Sequence, residues 1–126
     1  MWIQEALKAL ANKSYEKIID GAWTVYKYSD GTFEAWRKDT LNVTGLTTFA
    51  AISGGYKQYT FGLPTSLNIA TVDYANVIAS PTVNFLVGVV INQVTTENMK
   101  PTIMRYGSSA DIGTCYAYSH IRGAWQ

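Results

Sequence analysis

The sequence predicts an all-β protein: an antiparallel β-sandwich or jelly-roll-like head over residues 15–126, preceded by one short helix over residues 1–14. Three observations predict it. Runs rich in aromatic and β-branched residues recur along the chain, separated by turn signals such as Asp20-Gly21, Asp30-Gly31, Ser53-Gly54-Gly55 and Ser80-Pro81. Only 15% of the 126 residues are charged, against about 25% in an average globular chain, and nine tyrosines with many Ser, Thr and Asn take their place. One stretch alone, residues 2–12, has helical rather than alternating spacing.

In that helix Ile3, Leu7 and Leu10 form one stripe, with Gln4, Glu5 and Lys8 facing away. A helix this short is marginal in water by itself. It either docks on the sheet or continues an upstream stalk as a short coiled coil, in which Ile3, Leu7 and Leu10 are trimer contacts. Residues 15–20 read as a polar lead-in.

Residues 23–36 organise the rest of the chain. Asp30-Gly31 between two aromatic runs is a strong hairpin signal, because Gly enters the left-handed region freely and Asp tolerates it. Trp23, Val25 and Lys27 point one way and Thr24, Tyr26 and Tyr28 the other. Phe33, Ala35 and Arg37 share one face of the second strand; Thr32, Glu34, Trp36 and Lys38 share the opposite one. Large rings on both faces predict a hairpin set between a core and a second packing surface, such as another subunit. Trp23 and Trp36 are the hairpin's candidate trimer contacts.

Beyond residue 40 the chain reads as short strands. Residues 56–61 alternate, and Pro64 marks a turn because it fixes φ and lacks a ladder donor. Residues 67–79 are strand-like but broken by Asp73, Asn76 and Ser80-Pro81. Residues 85–91 are apolar on both faces, which predicts a central strand covered on both sides. Residues 92–100 read as a loop, 102–106 as a short strand, 107–111 as a loop and 113–125 as a final alternating strand.

Several function classes lack the residues they need. A net charge of +1 is not the electrostatic footprint of a nucleic-acid binder. A single cysteine, Cys115, forms no intrachain disulfide and no cysteine metal cluster, and its alternating context reads as a buried hydrophobe. The one histidine, His120, reads as structural: Ser119 points to the other face of the strand, and no Gly-x-Ser-x-Gly elbow or His-rich metal spacing is present. No cofactor and no metal are expected. The carboxylates Asp30, Glu34, Asp39, Asp73, Glu97 and Asp111 show no spacing that fixes two of them across a cleft, so catalysis is not expected. Sugars stack on aromatic faces while Asn, Asp and Gln read their hydroxyls; Tyr56, Tyr59, Tyr74, Tyr106 and Asp111 are the candidates for such contacts. The first residues carry no secretion signal, and the longest apolar run is too short to cross a bilayer. A surface-type composition without that signal fits a protein released by cell lysis, or a fragment of a longer chain.

The pattern Gly21, Trp23, Lys27, Gly31, Glu34 and Trp36 resembles the start of a domain found at the C-terminal end of many tailed-phage tail-fibre and minor structural proteins. Phe61-Gly62-Leu63-Pro64 and the terminal Gly123-Ala124-Trp125 resemble that domain's mid-chain aromatic-Pro segment and its closing Gly-x-Trp motif. The resemblance runs from about residue 20 to the end. It implies a β-rich, homotrimeric fibre-tip or receptor-binding head in the virion tail. Its partners would be a host cell-surface polysaccharide and other tail or baseplate proteins, with no nucleic acid and no membrane insertion. It carries over no catalytic residue and no ligand contact.

Overall fold

The computed structural model describes residues 14–43, 47–49, 54–82, 87–106 and 113–126. The expected helix, with Ile3, Leu7 and Leu10, lies outside the described residues, as does Asp111. The described strands are β1 (Tyr15–Asp20), β2 (Trp23–Tyr28), β3 (Thr32–Asn42), β4 (Thr47–Phe49), β5 (Gly54–Gln58), β6 (Phe61–Gly62), β7 (Ile69–Pro81), β8 (Val87–Val94), β9 (Asn98–Tyr106) and β10 (Thr114–Trp125). All their pairings are antiparallel. Sheet A has the order β1-β2-β3-β10-β7. In sheet B, β8 lies on one edge of β9, while β4-β5 and then β6 line the other. Buried residues of both sheets form one cluster, so this is an all-β, sandwich-like architecture.

The hairpin forms where the Asp-Gly signal puts it. Gly31 sits at φ 89°, its N–H donates to the Tyr28 carbonyl at 3.2 Å, and Asp30 Oδ1 accepts from the Thr32 N–H at 3.0 Å. Trp23, Val25, Phe33 and Ala35 face the core, as the alternation requires. Trp23 is 3% exposed, and its indole N–H donates to the Gly62 carbonyl at 2.7 Å, joining sheet A to β6. The Arg37 guanidinium lies 4.6 Å from the Phe61 ring centre and is held by both carboxylate oxygens of Asp39, at 2.6 and 2.7 Å. Residues 15–20, read as a lead-in, add the edge strand β1. Asp20 ties the following turn to sheet B's side of the molecule: its Oδ2 accepts the Thr65 and Ser66 N–H groups, both at 2.8 Å. Those two donors hold the Asp20 carboxyl below its usual range.

Strand β10 is paired on both edges along nearly its whole length. Its inward positions are mostly small, Cys115, Ala117, Ser119 and Gly123, with Ile121 among them; its outward positions are Tyr116, Tyr118, His120 and Arg122. At Gly123 the neighbouring strand β7 leaves no room for a side chain: a Cβ there would lie 1.9 Å from the Thr71 carbonyl oxygen.

Three expectations are corrected. Residues 69–81 form one continuous strand, because Asp73, Asn76 and Ser80 are exposed positions on it, and Asp73 occupies a bulge opposite Arg122 and Gly123. The apolar run before residue 92 does not make a central strand. Among the described residues β8 pairs only with β9; Val89 and Ile91 pack on the core edge while Val90 is exposed. It also runs on to Val94, so the expected 92–100 loop shrinks to a turn at residues 95–97.

Trp23→Ala is expected to cost about 3–5 kcal/mol, whereas Trp36→Ala, at a position 36% exposed, should cost about 1–2 kcal/mol through lost ring contacts. Urea melts of the two variants check this, and equal losses would contradict the assignment of faces. Gly123→Ala should cost about 3 kcal/mol, because the methyl group meets backbone rather than a yielding side chain. A melt matching the parent would show that β7 and β10 do not approach as described.

Candidate functional site

The outer face of sheet A is built from the residues that alternation sends away from the core. One ring from each of the five strands meets the next in a row across the sheet. Tyr15 and Tyr26 lie 5.4 Å apart between ring centres, Tyr26 and Trp36 5.5 Å, Trp36 and His120 4.7 Å, and His120 and Tyr74 5.3 Å. Neighbouring strands are about 4.8 Å apart, so the row spans roughly 19 Å. Trp36 and His120 stack nearly parallel, at 6°, because they are direct cross-strand partners. The other three contacts are edge-to-face.

The same face carries Tyr118, Ile19 and Ile78, the two isoleucines 68% and 59% exposed. Cations lie over its rings: Lys38 Nζ is 4.6 Å from the centre of Tyr116, and the Arg122 guanidinium 4.5 Å from that of Tyr74. Tyr15, Trp36 and Tyr74 of the row are themselves exposed, so rings and aliphatic side chains share this surface.

Two clefts flank the Trp36–His120 stack. On one side a cleft of about 250 Å³ opens between Thr24, Trp36, Lys38 and Tyr118. On the other side a cleft of about 440 Å³ is lined by Tyr28, Phe33, Glu34, Asp73, Tyr74 and Arg122, with Gly123 beside them. Tyr28 Oη donates to Glu34 Oε2 at 3.4 Å. Burial, and then the neighbouring Glu34 carboxylate, raise the Tyr28 hydroxyl pKa above its ordinary value.

His120 lies between Trp36 and Tyr74, and its Nε2 is buried with no hydrogen-bond partner. Burial lowers its pKa below the ordinary value of 6.5; Glu34 opposes that shift and Arg122 adds to it. Cys115 is fully buried, and burial pushes its thiol up, as expected of a packing residue.

The sequence-expected residues fall in different places. Tyr74 belongs to the ring row. Tyr56, paired with Met104 in sheet B, is exposed on that sheet's outer face, on the far side of the core from Tyr74. Tyr59 packs against the core, and its hydroxyl donates to the Asn42 carbonyl at 3.0 Å. Tyr106 closes β9 opposite Gly54. Trp23 is core, so of the two hairpin tryptophans only Trp36 reaches the surface. Tyr15, Tyr26 and His120 were missed as site residues. Only the strand pairing places them on one face with Trp36 and Tyr74.

No protein-family model matches the chain, and no curated protein or solved structure matches it either.

Because the folded His120 pKa is lowered, its contribution to stability is complete above pH 6.5 and is lost as pH falls through that value toward the folded pKa. His120→Phe keeps a ring on Trp36 and cannot titrate. Urea melts between pH 7 and 5 should therefore show a shallower loss for this variant than for the parent. Parallel losses would show that His120 does not sense the stack.

Proposed function

We propose that the protein is a non-catalytic attachment head of a tailed phage, a jelly-roll-like domain that recognises a host cell-surface saccharide as a homotrimer in the virion tail. The observation that carries this reading is the five-ring row across the outer face of sheet A, with a cleft on each side of it that carries charged groups. Rings offer apolar surface to the C–H faces of sugars, and the flanking Glu34, Lys38 and Arg122 offer hydrogen bonds to hydroxyls. The resemblance of Gly21, Trp23, Lys27, Gly31, Glu34 and Trp36 to tail-fibre domains supports the setting. Each hydrogen bond to a sugar hydroxyl replaces one to water at a net gain of about 0.5–1.5 kcal/mol, so one shallow site binds weakly. Three copies facing a repetitive polymer gain about 10²–10⁴ in avidity.

A second reading, a tail or baseplate module that binds only virion proteins, is favoured by Ile19 and Ile78, whose exposed aliphatic side chains suit a protein partner better than a sugar.

Binding of purified host envelope polysaccharides to the intact protein tests the proposal, with light scattering to fix the oligomer. A trimer that binds a polysaccharide, and loses that binding on Trp36→Ala, is the expected result. No binding across a broad envelope panel would favour the structural module. Release of reducing ends would show instead a polysaccharide-degrading domain.

A further inference from the structure

The larger cleft has features that the ring row does not. The Phe33 and Gly123 positions of the sheet line it, with Tyr28 and Tyr74 beside them. Its charged groups are two carboxylates, Glu34 and Asp73, and one guanidinium, Arg122, with Thr32 and the Tyr28 hydroxyl also lining it. A volume of about 440 Å³ is in the range of small-ligand sites, and so is a mostly apolar lining with a few convergent polar groups. The sheet is locally deformed to make it. The register shift between Arg122 and Gly123 inserts Asp73 as an extra residue on β7, and Asp73 lines the cleft.

We infer that this cleft is a monosaccharide subsite for an uncharged hexopyranose, read by Glu34, Asp73 and Arg122; the inference rests on the saccharide reading above. Ionised carboxylates are acceptors only, so each suits a ligand that presents hydroxyl donors. Arg122 is a donor only, and lying on Tyr74 it is held with its N–H edge free for a hydroxyl or ring oxygen. A ligand that both donates to two groups and accepts from a third, and whose body is apolar enough for Tyr28 and Tyr74, is a polyol ring. Two carboxylates against one guanidinium leave the cleft with surplus negative charge. A uronate or phosphate-bearing unit is repelled there, which gives specificity by charge.

The test is a titration of the ¹⁵N-labelled protein with the methyl glycosides of glucose, galactose, mannose and N-acetylglucosamine, and with methyl glucuronide and galacturonide. The Gly123 amide and the Arg122 Nε–H report on the cleft. At least one neutral glycoside should shift both signals with millimolar affinity, and neither uronide should. Glu34→Gln and Asp73→Asn should each weaken that binding about fivefold, since a hydrogen bond to a charged acceptor outweighs one to a neutral acceptor. A uronide that binds as well as its neutral counterpart would overturn the inference, as would unchanged affinity in both variants. If every glycoside leaves the cleft signals still while envelope polysaccharide binds the sheet, the inference fails and the broader proposal stands. If no polysaccharide binds either, both fail.

Discussion

The period-two alternation of β10 is the constraint on which the rest of this structure depends. Because β10 is paired with β3 on one edge and β7 on the other, its register decides which side chains of three strands face the core. A slip of one residue would bury His120 and Arg122 and expose Ile121 and Cys115. The Gly123 approach to Thr71 locks that register, since only a residue without a side chain fits there. Trp125 closes the end of the strand: its N–H donates to the Gly31 carbonyl and its indole N–H to the Tyr28 carbonyl, both at 2.9 Å. The hairpin turn and the last strand therefore hold each other in place.

The same alternation that fills the core creates the outer face. Each inward Val25, Ala35 and Ile121 implies an outward Tyr26, Trp36 and His120 next to it. The row of rings is thus a product of pairing distance: strands about 4.8 Å apart bring one ring per strand into contact with the next. The cost is an exposed aromatic surface, moderated by Lys38 and Arg122 lying across its rings. The bulge at Asp73 adds polar chemistry to an otherwise ring-dominated face.

The local parts of this arrangement were legible in the sequence. Asp30-Gly31, the inward and outward sets of the hairpin and the alternation of the last strand depend on neighbours within a few residues. What was not legible depended on partners far along the chain. The run before residue 92 is apolar enough for a central strand, yet its place at the edge of β9 follows from where the other strands pair. Asp73, Asn76 and Ser80-Pro81 read as breaks by residue type, yet Asn76 and Ser80 are regular outward positions of one continuous strand and only Asp73 is a bulge. The candidate site was scattered most of all: residues 15, 26, 36, 74 and 120 have no spacing in common, and only the strand order unites them. Tyr56 and Tyr74 looked alike in sequence but lie on opposite outer faces.

The central claim is that the outer face of sheet A is the working surface of this protein. The indole N–H resonances measure it most directly, because Trp36 lies on that face and Trp23 is buried between the sheets. Addition of a bound envelope polysaccharide should shift the Trp36 indole signal and leave that of Trp23 unmoved. A ligand that leaves Trp36 unmoved and shifts the backbone of β5 around Tyr56 would place the site on sheet B and contradict the account.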